Sequence, residues 1–189
     1  MAAAQIVERS LAGSGNMSVS RLRNPLDMQD EDWARFTAAM ETMNGRDIWI
    51  VDATDLTIEQ IRAVAETHKR RYPHLAMIVV DYLGLIKKPK AERNDLAIAH
   101  ISRNLKTMAM RLHTPTFALS QLSRAVDSRP AAQRRPVMSD LRDSGSIEQD
   151  ADSIMFLYRD EVYNPESPAA GIAEIILGKS RFSAAGAVI

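Results

Sequence analysis

Cysteine is absent from these 189 residues, which removes a disulfide scaffold, a thiolate zinc site and a thiol nucleophile, and fits a reducing compartment. Net charge is absent too: 24 Lys and Arg balance 24 Asp and Glu. That excludes a uniformly basic, histone-like polyanion binder but leaves room for a local basic groove. Long apolar runs are missing. The stretch Ala76 to Val80 is a quarter of the roughly 20 residues that span a bilayer, so a membrane-spanning reading is set aside, and no secretory signal pattern opens the chain. The four histidines, His68, His74, His100 and His113, lack metal-ligand spacing. No Ser-His-Asp arrangement and no internal repeat is visible. What is present is an ordinary single-core composition, 46% hydrophobic and 25% charged.

Periodicity then supplies the elements. Ala2 to Ala12 reads as a helix stopped by Gly13-Ser14-Gly15-Asn16, a cluster suited to left-handed backbone. From Asp30, Trp33, Phe36, Met40 and Met43 recur at helical spacing up to Asn44-Gly45 and predict a core-facing stripe. Asp47 to Asp52 alternates like a strand. Thr57-Ile58-Glu59-Gln60 has the capping-box pattern of a helix running to about Arg71, whose last turn, His68-Lys69-Arg70-Arg71, complements the helix dipole. Ala76 to Val80 and Thr116 to Leu119 are continuous apolar strands. Between them, Leu96, Ile98, Ile101, Leu105, Met108 and Leu112 mark a long helix. Apolar strands alternating with helices predict an α/β fold whose parallel sheet is covered on both faces. Ser123 to Pro136, rich in Arg, Pro, Ser and Gln, reads as a mobile loop. Ile154 to Tyr158 and Ile172 to Leu177 read as an antiparallel hairpin added to that sheet.

Several polar residues fall where such a fold does chemistry. Asp81 ends an apolar strand, the edge at which open α/β sheets bind ligands, and a carboxylate there can hold hydrated Mg²⁺ beside a nucleotide phosphate. A solvated strand-end Asp is the plainer alternative. Gln121 follows the next strand and can hydrogen-bond a γ-phosphate or an attacking water, or simply satisfy loop backbone. Ala173 to Ser180 fits a relaxed A/G-x-x-x-x-G-K-S rule for a phosphate-binding loop. Its Ile175-Ile176-Leu177 core is strand-like and no amphipathic helix follows Lys179-Ser180, so the match is rejected on physical grounds. Lys179 and Arg181, alternate positions at a strand end, point the same way; they present two charges to an anion or form a solvated surface feature. Ser139 to Asp152 is dense in small polar and charged groups. It is a loop that sets Arg142 and backbone N–H groups against a phosphate backbone, or one that caps a helix.

Taken in order, IVVDYLGL (Ile78 to Leu85), ISRNLKTMA (Ile101 to Ala109), ALSQLSR (Ala118 to Arg124), SDLRDSGSIEQDAD (Ser139 to Asp152), IMFLYRDEVY (Ile154 to Tyr163) and GIAEIILGKSR (Gly171 to Arg181) resemble a known family. It is the C-terminal, RecA-like motor domain of hexameric bacterial and phage replicative DNA helicases of the DnaB type. The resemblance runs from about Gln5 to Lys179. It implies a RecA-like core, a mostly parallel sheet flanked by helices with a C-terminal antiparallel hairpin, ATP and Mg²⁺ as cofactors, and translocation on single-stranded DNA by a homohexameric ring in the cytoplasm of a bacterium or a phage-infected host. It gives Asp81 the role of the acid holding Mg²⁺ through water and Gln121 that of γ-phosphate sensor. Arg142, Asp143 and Gly145 become the DNA loop. Lys179 and Arg181 become the pair that reaches ATP bound by a neighbouring subunit, with Arg181 as the arginine finger.

Departures accompany the matches. Asp143 stands where a Glu is more usual, and Phe182-Ser183-Ala184-Ala185 replaces the usual Asn-Gly-Pro turn. By the family pattern, residues 1–189 are a partial motor domain. The phosphate-binding loop with its strand and helix, the catalytic Glu, and the N-terminal domain that meets primase and helicase loader would all lie before Met1. The chain alone is therefore expected to lack ATP turnover. The alternative is a non-catalytic remnant that binds DNA through Arg142 and the basic Arg134-Arg135 loop or caps a helicase ring. A piece of a RecA-type recombinase shares the fold and the Asp81 role but finds no support in the Ser139 to Asp152 block.

Overall fold

The structure, a computed structural model, describes residues 2–89, 94–130, 133–141 and 144–182. The chain divides into two compact units, residues 1–54 and 55–189.

The first unit is helical: α1 (Ala3–Ser14), α2 (Val19–Arg23) and α3 (Asp30–Asn44). Asn16 takes the left-handed φ of 49° after α1, as the Gly-Ser-Gly-Asn cluster predicts. At Gly15 a Cβ would stand 3.3 Å from the carbonyl oxygens of both Leu11 and Arg35, so a side chain there would press on the backbones of α1 and α3. The stripe predicted on α3 is shifted. Asp32 and Ala39 are buried, whereas Trp33 and Met40 are each 45% exposed. The inner row is therefore Asp32, Phe36, Ala39 and Met43, and Trp33 lies edge-on to Phe36 at 6.1 Å between centroids. Asp32 is buried because it is useful: its carboxylate accepts the Gln29 N–H at 3.1 Å, closing a capping box, and takes Arg21 at 3.1 Å through both oxygens. Asp47 to Asp52, predicted as a strand, pairs with no strand among the described residues, and Ile48 and Val51 are exposed. Alternation supplies a strand's two faces, but a strand also needs a ladder partner.

The second unit carries the α/β pattern: α4 (Ile58–Arg71), β1 (Ile78–Val80), α5 (Asn94–Leu112), β2 (Thr116–Ala118), α6 (Ser144–Asp150), β3 (Ser153–Tyr158) and β4 (Glu174–Ser180). The capping box at α4 is complete: Thr57 Oγ1 accepts the Gln60 N–H at 3.3 Å, and Gln60 Oε1 accepts the Thr57 N–H at 2.8 Å. β1 and β2 pair in parallel, with Ile78 opposite Thr116 and Val80 opposite Ala118. One core cluster joins Ile58, Ala65, Leu83, Ile86, Ile101, Leu105 and Met108, with Ile78 and Val80 packed against it from β1. The α5 stripe is as predicted except Leu96, which is exposed.

Two expectations change here. The parallel strands are covered on one face only among the described residues: Met77, Val79, Phe117 and Leu119 are 45 to 54% exposed. The hairpin also forms a separate two-stranded sheet, β3 antiparallel to β4, with its own cluster of Leu141, Ile154 and Phe156. Ser123 to Pro136 is not a free loop in its described part. Val126 and Pro136 are buried, and side-chain hydrogen bonds tie the segment down where hydrophobic period is missing.

Candidate nucleotide and DNA site

The candidate site residues fall at two places, the carboxyl edge of the parallel pair and the end of the antiparallel pair. At the first, hydrogen bonding continues past the ladder. The Leu119 N–H donates to Val80 O at 3.0 Å and the Leu83 N–H to Leu119 O at 2.9 Å. These bonds keep the two strand ends side by side and set Asp81 and Gln121 on one edge, both exposed. The Asp81–Tyr82 peptide is cis. The Asp81 carboxylate makes no hydrogen bond or ion pair among the described residues, and no cluster of three or more metal-ligating side chains occurs among them. One unengaged carboxylate suits a Mg²⁺ that keeps most of its waters and takes its other ligands from phosphate.

At the second place, β4 runs through the segment that mimics a phosphate-binding loop, so Lys179-Ser180 lies in a strand and opens no helix. Its glycine has a different reason to exist. Ile154 pairs with Lys179 and Met155 with Leu177, leaving Gly178 as the extra residue of a bulge. A Cβ on Gly178 would overlap Phe156 Cε2 and stand 3.1 Å from Met138 Sδ. The buried Phe156 ring occupies the space of that missing side chain. Lys179 and Arg181 point the same way, as alternation predicts, and they reach the carboxyl end of α6. Lys179 Nζ donates to the carbonyls of Glu148 and Ala151, and Arg181 donates to the Gln149 carbonyl at 2.6 Å.

Of the DNA-loop residues, Arg142 and Asp143 lie outside the described residues. Gly145 is described, and it sits in the first turn of α6 rather than in a tight loop, with nothing within 4 Å of where its Cβ would stand. Ser144 to Asp150 is helix because Ile147 packs against the main core and Ala151 against the hairpin cluster.

Sequence reasoning passed over the residues that hold this second place together. Asp140, 1% exposed, accepts Arg129 through both oxygens and the Val137 N–H at 2.9 Å. Burial alone would push its carboxyl up; the Arg129 hydrogen bonds, the Val137 N–H and the Arg129 charge outweigh it and hold the group below the usual range. Asp152 binds Lys106 Nζ at 2.5 Å. Both aspartates lie within the Ser139 to Asp152 block, where charge density was legible but pairing was not. Arg134 and Arg135 are engaged as well. Arg134 covers the Tyr163 ring at 5.0 Å, and Arg135 covers Tyr158 at 5.4 Å while pairing with Glu174. Tyr158 and Tyr163 stack, and the Tyr158 hydroxyl donates to Asp160 at 2.7 Å, which raises its pKa. This basic loop is a brace on the hairpin.

Known proteins share this chain's sequence pattern and fold. The DnaB replicative helicase of Pasteurella multocida is 45% identical over 190 aligned residues, covering 100% of this chain and 40% of that protein. That of Geobacillus stearothermophilus is 43% identical, covering 100% of this chain and 41% of the relative. The chain thus spans about 40% of the length of the curated relatives it matches. A solved DnaB-like replicative helicase, described with its interactions with primase, superposes with a TM-score of 0.91 at 35% identity over 100% of this chain and 45% of its own. A second solved structure, described as an ATPase domain, does so with a TM-score of 0.90 at 35% identity, over 100% of this chain and 66% of its own. The family model for the DnaB-like helicase C terminal domain matches residues 1–189, and the chain belongs to that family.

Proposed function

We propose that this chain is the larger part of an ATP-driven motor that moves along single-stranded DNA and separates duplex as one member of a cytoplasmic homohexameric ring. The observation that supports it most is the placement on one strand edge of the Gln121 amide and the Asp81 carboxylate, which has no hydrogen bond or ion pair among the described residues, in a chain of this family. Asp81 would hold Mg²⁺ through water, and the metal would neutralise charge on the β- and γ-phosphates of ATP. Gln121 orients the attacking water or the γ-phosphate. Lys179 and Arg181 act on ATP held by a neighbouring copy, which makes turnover a property of the ring. Arg142, Asp143 and Gly145 meet the phosphates of single-stranded DNA without reading its bases.

The 189 residues contain no G-x-x-x-x-G-K-[ST], and β4 disposes of the relaxed match. In this reading the phosphate cradle, the catalytic Glu and the surfaces for primase and loader come from polypeptide outside these residues. Two assays test it. The 189-residue chain alone should release no phosphate from ATP above a blank, with or without single-stranded DNA. Rings in which these residues follow a phosphate-binding loop should hydrolyse ATP faster when single-stranded DNA is added. Turnover by the chain alone, or rings without DNA stimulation, would refute the assignment.

A further inference from the structure

The carboxyl end of α6 gathers more charge than a helix of its length needs. Lys179 Nζ donates to the carbonyls of Glu148 and Ala151, the latter at 2.9 Å. Arg181 donates to the Gln149 carbonyl at 2.6 Å and stands 3.6 Å from the Asp152 carboxylate. Asp152 also accepts Lys106 Nζ, brought in by α5, at 2.5 and 2.7 Å, and its backbone carbonyl accepts the Arg181 N–H at 2.9 Å. The last carbonyls of a helix have no partner within it and carry partial negative charge. Together with the carboxylate they offer an ammonium and a guanidinium what a phosphate offers: clustered oxygen acceptors and negative charge. The groups assigned to a neighbour's nucleotide are thus already engaged inside their own chain.

We propose that the α6 carbonyls and Asp152 form an internal stand-in for phosphate, which holds Lys179 and Arg181 until a nucleotide polyphosphate replaces it, with Asp152 as a positioning residue for the pair. The inference rests on the reading of Lys179 and Arg181 as the nucleotide-facing pair. It makes polyphosphate at the pair and a capped α6 mutually exclusive. Binding on one side therefore loosens residues 144–150, the helix that follows directly on the candidate DNA residues Arg142 and Asp143. Coupling of this kind is reciprocal: whatever orders α6 weakens the grip on polyphosphate by the same factor.

The probe is inorganic triphosphate, titrated calorimetrically into the full 189-residue chain at fixed ionic strength while amide exchange is followed across residues 144–150. Asp152→Asn should tighten triphosphate about threefold, the range open to a half-exposed pair, and Asp152→Glu should restore the original affinity. Asp150→Asn removes the same charge from a side chain with no hydrogen bond or ion pair among the described residues. It should move affinity by less than about 1.5-fold. In the unsubstituted chain, triphosphate should speed exchange at 144–150, a readout that needs no variant to fold. If Asp152→Asn matches Asp150→Asn, or if saturating triphosphate leaves exchange unchanged, the stand-in is overturned while the pair's assignment survives. If triphosphate does not bind, or binds Lys179→Ala as tightly as the original chain, the assignment of the pair falls and the stand-in with it.

Discussion

The two strand ends that carry the candidate chemistry are opposites. At the carboxyl edge of β1 and β2, Asp81 and Gln121 are exposed and the Asp81 carboxylate has no partner among the described residues. At the end of β4, Lys179 and Arg181 are bound to the carbonyls of Glu148 and Gln149 in α6. The difference follows from what each place must meet. A carboxylate at a strand edge is hydrated at little cost and can wait for a metal in water. Long cations beside the orphaned end of a helix find acceptors in their own chain, so they start from a satisfied state. If both places act as proposed, function at the first is separable from stability, and at the second it is not.

The largest effects test that separation directly. In DNA-stimulated rings, Arg181→Ala should lower turnover by about 10³-fold, as expected for an arginine finger. It should also cost the chain about 1 kcal/mol of folding stability, because a cap on α6 is lost. Asp81→Asn should lower turnover by at least about 10²-fold and leave chemical-denaturation stability within about 0.5 kcal/mol, as for surface changes generally. Phosphate release and urea midpoints measured on the same preparations decide the matter. Equal stability losses in the two variants would erase the contrast.

The next effect sharpens the account of how the second place is built. Gly178→Ala puts a methyl group into the space of the Phe156 ring and against Met138, an overpacking expected to cost about 2 kcal/mol. The pair beyond the bulge moves with the strand, so Lys179 and Arg181 should lose their α6 contacts as well. Faster amide exchange at residues 144–150 in this variant would show it. An unchanged urea midpoint would mean that the ring moves aside and that the bulge does not set the aim of Lys179.

How much of this was legible before the fold was known differs in the same way between the two places. The placement of Asp81 and Gln121 at a shared strand edge could be read off because strand ends are marked by local chemistry, apolar runs stopping at a polar residue. The capping box at Thr57 and the left-handed Asn16 are local for the same reason. The α6 knot was hidden because its partners are 28 to 46 residues apart in sequence, and no periodicity reports which carbonyl a lysine will reach. The Asp140 pair with Arg129 was missed although only 11 residues separate them: charge in Ser139 to Asp152 suggested a loop that meets phosphates or caps a helix, whereas burial of one carboxylate was the fact that mattered. Alternation misled at Asp47 to Asp52, where no partner strand is present among the described residues. On α3, Phe36 and Met43 face inward as predicted, whereas Asp32 and Ala39 take the inner places expected of Trp33 and Met40. The false phosphate loop was excluded correctly, but the reason its glycine exists, Phe156 against the bulge, is a contact between strands and has no local sign.

The smallest expected effect concerns acid. Asp140 is held below the usual carboxylate range, where burial is outweighed by Arg129 and the Val137 N–H, so in the unfolded chain it takes up a proton more readily than in the fold. Its contribution is complete above the unfolded value near 3.8. As pH falls through the lowered folded value the contribution is lost, because protonation now occurs in both states and removes the charge that Arg129 faces. Between about pH 5 and pH 3 the stability of the original chain should therefore decline more steeply than that of Asp140→Asn, whose amide keeps an acceptor oxygen for one donor but does not titrate. Above about pH 6 this carboxylate is ionised in both states, so the two stability curves should run parallel with the original chain ahead by a constant margin. If Asp140→Asn followed the same acid profile as the original chain, the buried pair would be no stronger a determinant than the exposed edge, and the contrast between engaged and waiting groups would have to be drawn from Lys179 and Arg181 alone.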